Sequence, residues 1–537
     1  AIKAAAGADR DEDGFAVFAE WASQWTGNAL YPGNDPSVVR EDWRRMVPPF
    51  RIGWPWLQDE AARHGVNVAA TEFTPVVSDE DTNDPLFGTD HWLAERMVRT
   101  IGSHVRHVPE LGRWYAWGAG MWQPDAVLQT EAMVHRQLVV EANRVAKMGA
   151  TDAEKKRYYR YAEAFLSSRR ASAVRNVMES HPDLAIRAGS FDADPWALNT
   201  PGGIVDLRRG TLRPPDQQAL CSRATSVPVE FDGAHPVWTR FLHDATGGDP
   251  AFIDYLQRFA GYALTGRTDE QCLLYLWGRG GNGKSVFLNV LTGILGDYAV
   301  IAPSETFING KGFDRHSTEI AMLAGARLVT ASEVEYGKAW HTTRIKSLTG
   351  GEPVTARFMR QDNFTFTPAF KLLIAGNARP QVANLDHAMR RRLHLVPFVR
   401  TPAVVDRLLP EKLRHEYPAI LAWMIAGCLR WQRDGLTAPP VIANATNDYF
   451  TEEDAIGRWL SECCVEGGPT AITLVRDLFG SWALWCRQTG ETVGTEREFV
   501  QRIIAAGCEP TRATTGAKGR AIAGLVLRSE PSLADLL

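Results

Sequence analysis

Lys284 and Ser285 close a glycine-dense turn, and the eight residues Gly278, Arg279, Gly280, Gly281, Asn282, Gly283, Lys284 and Ser285 have the spacing G-x-x-x-x-G-K-S. Glycines let such a turn curl so that successive backbone N–H groups point inward at an anion. A helix opening at Ser285 would add its positive N-terminal end at the same point. Lys284 then falls between the outer phosphates of a nucleotide, and the Ser285 hydroxyl is placed to be a ligand for Mg²⁺. The chemistry implied is binding of a nucleoside triphosphate, with ATP and Mg²⁺ as the expected ligands.

Further groups that could act on a bound triphosphate follow in order. The apolar run 326–331 ends in Ser-Glu-Val-Glu, so Glu333 and Glu335 stand just past a strand. In a parallel sheet, ligands sit beyond the carboxyl ends of the strands. One of these acids is expected to hold Mg²⁺, directly or through water, or to orient and deprotonate the attacking water. Glu333 is favoured because it follows the strand more closely. The apolar run 371–375 ends at Gly376-Asn377; the uncharged Asn377 amide can hydrogen-bond the γ-phosphate or the water without repelling either, or simply turn the chain before Pro380. Arg390, Arg391 and Arg392 directly precede the apolar stretch 393–398. They read either as a solvated basic turn or as a source of an arginine that reaches a neighbouring subunit's nucleotide, where it would stabilise charge building up in phosphoryl transfer. Arg391 and Arg392 are the candidates for that role, ahead of Arg390. Between the second and third strands, 354–359 and 364–367 read as a hairpin around Gln361-Asp362-Asn363. Lys346, Arg357 and Arg360 give this region positive charge suited to the phosphates of a DNA backbone.

These residues need a scaffold, and the chain has the pattern for one. Residues 272–277 form a short apolar run of the kind found in strands covered on both faces, and the runs at 326–331 and 371–375 repeat it. The fold class expected is α/β, multi-domain, with a central parallel-sheet ATPase. With 537 residues, 45% hydrophobic and 23% charged, the chain has material for more than one core. A net charge of −4 does not favour nucleic acid as a partner, yet charge segregated locally does not exclude it. The 48 arginines against 11 lysines supply many forked phosphate binders. Seven cysteines without a C-x-x-C pair suggest neither a disulfide framework nor a zinc site; Cys272 and Cys428 read as small core residues. No apolar span of membrane length and no signal peptide is apparent, so a cytoplasmic location is expected and no membrane partner. Because it begins at Ala1 and not Met, the sequence is expected to be a piece of something longer.

Upstream of the glycine-dense turn, Phe15, Phe18, Ala19, Ala22 and Trp25 share a helical face, and the acidic, Pro-containing stretch 72–85 reads as a linker. A helix capped by Thr89 or Asp90 precedes an aromatic hairpin turning at Gly118-Ala119-Gly120. Its Trp114, Tyr115, Trp117 and Trp122 can stack bases or fill the core of a small sheet, and core packing is the expected use. Residues 127–180 read as helices with a solvated basic face (Lys155, Lys156, Arg157, Arg160, Arg169 and Arg170), 198–215 as two short strands separated by Arg209-Gly210, and 236–263 as helices. Downstream, 403–435 read as helices and 436–440 as a linker. The remainder has Leu474, Leu478, Trp482 and Trp485 on one helical face, a capping box at Thr495–Glu498, and two strands around 516–519. Helix, helix and basic hairpin suggest a winged-helix module. Arg512, Lys518 and Arg520 on the wing suit phosphates, although such modules equally serve as protein docking surfaces.

Taken together, GRGGNGKS, RLVTASEVE, IKSLTGGEPVTAR, FKLLIAGNARP and DHAMRRRLHLVPF resemble the ordered motif set of superfamily 3 helicases, in the branch carried by phage and plasmid primase–helicases. TDHWLAERM, WYAWGAGMWQPD, LNTPGGIVDLRRG and LQRFAGYALTGRTDE resemble the region that precedes the helicase domain in those proteins and in their poxvirus relative, and the spaced tryptophans of the first 70 residues resemble the small helical module following their primase domain, another helical cap being the alternative. The resemblance implies a AAA+-type ring, a hexamer, with a central hairpin gripping single-stranded DNA and unwinding forked DNA with 3′→5′ polarity. It implies domains at 1–71 (helical module), 86–267 (α+β region before the helicase), 268–435 (ATPase) and 441–537 (winged-helix-like), and a primase domain or replication proteins as partners, the primase domain lying before Ala1. The match departs at the second acid, where Val334 separates Glu333 from Glu335, so the metal and base roles stay unsplit between them. The function expected is an ATP-dependent DNA helicase for replication of a phage, plasmid or integrated element. The alternatives are a nucleotide-switched initiator or loader that binds DNA without processive unwinding, and the non-catalytic scaffold of a primase.

Overall fold

The computed structural model describes residues 84–308, 316–332, 340–359, 362–380, 387–402, 405–468, 471–513 and 518–528. The helical module expected over 1–71 lies outside the described residues, and so do Glu333, Glu335 and Arg360. The elements below belong to the unit Gly88–Leu537.

Helix α1 (Asp90–Ile101) starts at Thr89, whose side chain accepts the Trp92 N–H. It packs with α2 (Gln129–Ala146), α3 (Asp152–Phe165) and α4 (Ser168–Glu179) through buried Trp92, Leu93, Met97, Leu138, Phe165 and Val174. An antiparallel sheet of β1 (Val105–Val108), β2 (Arg113–Gly118) and β3 (Met121–Pro124) joins them. The aromatic hairpin is occupied from within. Trp122 is fully buried and donates to the Gln217 carbonyl at 2.9 Å. Trp117 meets its ring edge-on at 5.5 Å, and Tyr115 lies 4.6 Å from Phe191. Of the basic face on α3 and α4, Lys155, Lys156, Arg157, Arg160 and Arg169 are exposed, whereas Arg170 is half-buried and pairs with Asp90 at 2.8 Å. A second small sheet, β4 (Ala197–Thr200), β5 (Gly203–Asp206) and β6 (Thr211–Arg213), leads into α5 (Pro236–Thr246) and α6 (Pro250–Ala263).

The centre is a five-stranded sheet built from β7 (Leu273–Trp277), β8 (Ala299–Ile301), β9 (Leu328–Ser332), β12 (Lys371–Gly376) and β13 (Leu393–Pro397), in the order β13-β7-β12-β9-β8 with every pairing parallel. The connections carry α7 (Lys284–Leu295), α8 (His316–Ala321), α9 (Thr342–Thr349), the hairpin β10 (Val354–Ala356) and β11 (Phe364–Phe366), and α10 (His387–Arg390). Alternation along each strand splits the apolar side chains between two cores. Leu274, Leu276, Leu373 and Ala375 face Phe287 and Leu291 of α7, together with α5 and α6. Leu273, Tyr275, Leu372 and Ile374 face Ile345, Leu348 and Trp340. Both faces are covered, which is why the strands read as near-continuous apolar runs.

The helices α11 (Leu409–His415) and α12 (Tyr417–Asp434) complete the first core. Helices α6 and α12 touch backbone to backbone: a Cβ on Gly261 would sit 2.0 Å from the Cys428 nitrogen, and one on Gly427 would sit 2.1 Å from the Gln257 carbonyl oxygen. Two buried cations tie the preceding region to the amino ends of the sheet. Arg327 donates to the carbonyls of Leu264 at 2.6 Å and Ala197 at 2.7 Å, and Lys371 donates to the carbonyls of Thr265 and, at 3.1 Å, Arg267. Leu198, Val205 and Trp238 share a core with β7 and α7, so packing is continuous across the boundary expected at 267/268.

The stretch 436–440 is likewise no loose linker. Leu436 is buried, and Arg258 donates to the Gly435 carbonyl at 2.5 Å. Helix α13 (Pro440–Glu453) lies against β13, with Tyr449 and Phe450 in the second core. The C-terminal core starts at Ala455, later than the expected 441. It holds α14 (Ala455–Cys463), β14 (Cys464–Glu466), β15 (Ile472–Leu474), α15 (Val475–Thr489), α16 (Glu496–Ala505), β16 (Glu509–Ala513), β17 (Gly519–Ala523) and β18 (Leu525–Leu527). The sheet order β15-β17-β16, with two helices between its first strand and its hairpin, is the winged-helix arrangement. Both sides of the Thr495–Glu498 capping box are formed.

Candidate nucleotide site

Strand β7 delivers the glycine turn to the carboxyl edge of the sheet. Gly278 has φ +150°, and a Cβ there would lie 1.9 Å from the Phe398 carbonyl oxygen. Gly281 and Gly283 have φ +81° and +89°, conformations that glycine adopts without steric penalty. A Cβ on Gly283 would lie 2.8 Å from the Phe241 ring, so the turn rests against α5. Trp238 stacks on Phe241 and Phe287 at 5.4 Å and 5.8 Å, giving the loop and the first turn of α7 a rigid aromatic backing. Arg279, Gly280, Gly281 and Ser285 are exposed.

Lys284 folds back into this loop. It is 6% exposed, and its Nζ donates to the carbonyls of Gly278 at 2.6 Å and Arg279 at 3.2 Å and to Asn282 Oδ1 at 2.8 Å. Burial lowers its pKa from the ordinary lysine value. Asn282 uses its other amide atom, Nδ2, to donate to the Phe398 carbonyl just beyond β13. The asparagine thereby links the lysine to the adjoining strand. The loop is also closed by the Phe398 N–H, which donates to the Trp277 carbonyl at 2.8 Å. An anion entering between the inward N–H groups and the start of α7 would offer the ammonium stronger acceptors than the neutral oxygens that now hold it.

Next to the loop stands the end of β12. Gly376 is paired with Trp277, so Asn377, which is exposed, follows at the same edge as Gly278. The segment behind it is pinned by two tyrosines: Tyr275 donates to the Ala378 carbonyl at 2.6 Å, and Tyr449 donates to the Pro380 carbonyl. Arg379 lies over the Trp277 ring at 4.7 Å and pairs with Glu452 of α13. On the other side of β12, Ala375 is paired with Ser332, the residue before Glu333.

Other candidates lie elsewhere in the chain. Arg390, Arg391 and Arg392 precede β13, which runs parallel to β7, so they sit at the amino edge of the sheet. Six residue steps, from Arg392 to Phe398, separate them from the loop by about 20 Å along the strand. Arg392 does not reach outward: it is 6% exposed and donates to the Ala388 carbonyl at 2.9 Å and Gln271 Oε1 at 3.3 Å. Arg391 is exposed, with Gln271 Oε1 at 3.3 Å, and Arg390 is exposed and lies over Phe450 at 5.5 Å. Lys346 is half-buried in the last turn of α9, one element before the hairpin, and exposed Arg357 follows β10 directly. Sequence reasoning missed Asn282 as a strut, Phe398 as its anchor, and Trp238 and Phe241 as backing. Their spacing gives no signal, because each acts across a contact far away in the chain.

Among the described residues no group of three or more His, Cys, Asp or Glu is arranged to hold a metal, and no helix is long and apolar enough to cross a membrane. Residues 94–247 match the family described as D5 N terminal like, and residues 276–392 match a family of unknown function, DUF5906. The second match runs from within β7 to Arg392. Relatives include "Putative helicase L207/L206" of Acanthamoeba polyphaga mimivirus, 22% identical over 342 residues, which is 58% of this chain and 35% of that protein. "Putative helicase 022R" of Frog virus 3 is 26% identical over 240 residues, 41% of this chain and 25% of that one. "Putative primase C962R" of African swine fever virus (strain Badajoz 1971 Vero-adapted) is 22% identical over 283 residues, 48% of this chain and 29% of the relative. The chain thus spans between a quarter and about a third of the length of these relatives. Among solved structures, the apo C-terminal region of NrS-1 superposes with a TM-score of 0.48 at 11% identity, covering 81% of this chain and 99% of that one. The chain thus carries a D5 N terminal like region followed by a DUF5906 region that contains the glycine turn, and it is similar to proteins named helicase and primase from large DNA viruses.

Proposed function

We propose that this chain is an ATP-dependent DNA helicase of superfamily 3 type that works as a ring, a hexamer moving 3′→5′, in the replication of a phage, plasmid or integrated element. The observation that carries the reading is the glycine turn at the carboxyl edge of a parallel sheet, with Lys284 poised inside it and Asn377 on the adjacent strand end. In this reading the turn's N–H groups and Lys284 bind the β- and γ-phosphates, and Asn377 orients the attacking water. Ser285, an exposed hydroxyl next to Lys284, is a suitable oxygen donor for Mg²⁺, with Glu333 as the second; Glu333 or Glu335 takes the water's proton. Mg²⁺ would neutralise charge on the phosphate oxygens. Arg391 faces outward and is the candidate for a neighbour's nucleotide. The hairpin with Arg357 and Arg360, and Lys346 beside it, would grip single-stranded DNA. A primase domain and other replication proteins are the natural partners of such a motor.

The test is Lys284→Ala in ATP turnover and forked-duplex unwinding. Turnover should fall at least about 100-fold, the scale for losing one preorganised donor to the reacting group, and unwinding should vanish. Full strand separation by this variant, or wild-type turnover indifferent to DNA, refutes the proposal.

A further inference from the structure

The C-terminal module carries a cationic cleft. Arg512 on β16 is the direct cross-strand partner of Arg520 on β17, and Ala513 is the partner of Gly519. With Lys518 these residues line a cleft of about 410 Å³. Arg512, Lys518 and Arg520 are all exposed, and none forms an ion pair among the described residues. Cross-strand neighbours stand about 5 Å apart at Cβ, and like charges placed so are destabilising. An arrangement of that kind gains stability from an anion held between the two guanidinium groups.

We infer that this wing is a binding site for the phosphodiester backbone of duplex DNA. Two observations set the ligand. Residues 509–523 contain no aromatic residue, so the hairpin lacks the stacking platform with which proteins hold single strands. It offers two guanidinium forks and the Lys518 ammonium, which match the phosphate oxygens of a backbone. The neighbouring helix α16 does not compete for the role. Its first turn exposes Glu496 and Glu498, which repel phosphates, and its Arg502 lies over the Trp482 ring at 5.3 Å. Duplex is therefore held by the wing and not by insertion of α16 into a groove.

The site is separate from the phosphate loop, so it is tested independently of ATP turnover. Binding of a fluorescein-labelled blunt duplex to the full chain is followed by anisotropy across a salt series. The Arg512→Gln/Arg520→Gln variant should bind more weakly, and the slope of log K against log[salt] should become shallower by about 2, one for each phosphate no longer neutralised. Arg512→Lys/Arg520→Lys should keep most of the slope, and Arg497→Ala on α16 should keep all of it. Lys284→Ala should bind the duplex as wild type does, so a failed motor and a failed wing give different results. An unchanged slope in the glutamine variant overturns the inference and leaves the wing as a protein docking face. A change confined to single-stranded oligonucleotide also overturns it.

Discussion

Replacing Asn282 by aspartate changes one atom and separates two jobs that a single side chain performs. The amide Nδ2 donates to the Phe398 carbonyl, while Oδ1 accepts from Lys284 at 2.8 Å. In the variant a carboxylate oxygen confronts the Phe398 oxygen, and the missing bond with its unpaired buried acceptor costs about 1–3 kcal/mol. The other oxygen, now charged, binds the Lys284 ammonium, and a charge-assisted bond recovers about 1.5–3 kcal/mol. Stability should therefore change by less than about 2 kcal/mol, the difference between those ranges. Nucleotide affinity should change much more, because Lys284 must leave residue 282 to meet the phosphates. Holding it back by about 1.5–3 kcal/mol weakens binding roughly 10- to 150-fold. Asn282→Ala carries the first cost without the second, so it should lose stability and keep more of the affinity. Urea unfolding reads the stability, and titration with a fluorescent ATP analogue reads the affinity. If the Asn282→Asp variant bound nucleotide as tightly as wild type, Lys284 would not be a ligand of the phosphates and the reading of the loop would fail.

Two further outcomes follow from other contacts. The Tyr255 hydroxyl, kept protonated by burial, is hydrogen-bonded with Nδ1 of His394 in β13, and burial pushes that imidazole down to about 4. Between pH 6.5 and 4 the unfolded chain binds this proton and the folded chain does not, so stability falls as the pH is lowered through that window, by at most about 3 kcal/mol at 1.36 kcal/mol per unit. His394→Gln should flatten urea midpoints over that interval, and an unaltered pH profile would contradict the assignment. For Arg391, subunits carrying Arg391→Ala mixed with Lys284→Ala subunits should regain part of the ATP turnover that each lacks alone, through interfaces with one intact loop and one intact arginine; no recovery at any mixing ratio would rule out action across an interface.

Legibility in the sequence followed the range over which each signal acts. Strand β7 spans Leu273–Trp277 as its apolar run indicates, and the capping box at Thr495 is formed, because both depend on neighbours a few residues apart. The domain boundaries were harder to read. Leu436 and the glycine-proline flavour of its surroundings suggest a linker, but burial of Leu436 and the anchoring of Gly435 by Arg258 depend on helix α6, nearly 180 residues away. The same limit governs the site. Gly278, Gly281 and Gly283 announce the loop because each takes a positive φ that other residues rarely adopt, while Asn282 is merely one of four free positions in the motif until Phe398 arrives from the next strand. Arg391 and Arg392 are adjacent and alike in sequence, yet packing against Gln271 and Ala388 buries one and leaves the other facing out. Residue type and spacing thus identify what chemistry a loop can do. Which side chain is free to do it depends on contacts that only the folded chain brings together, and here those contacts leave Arg391 exposed and hold Arg392 at the sheet edge.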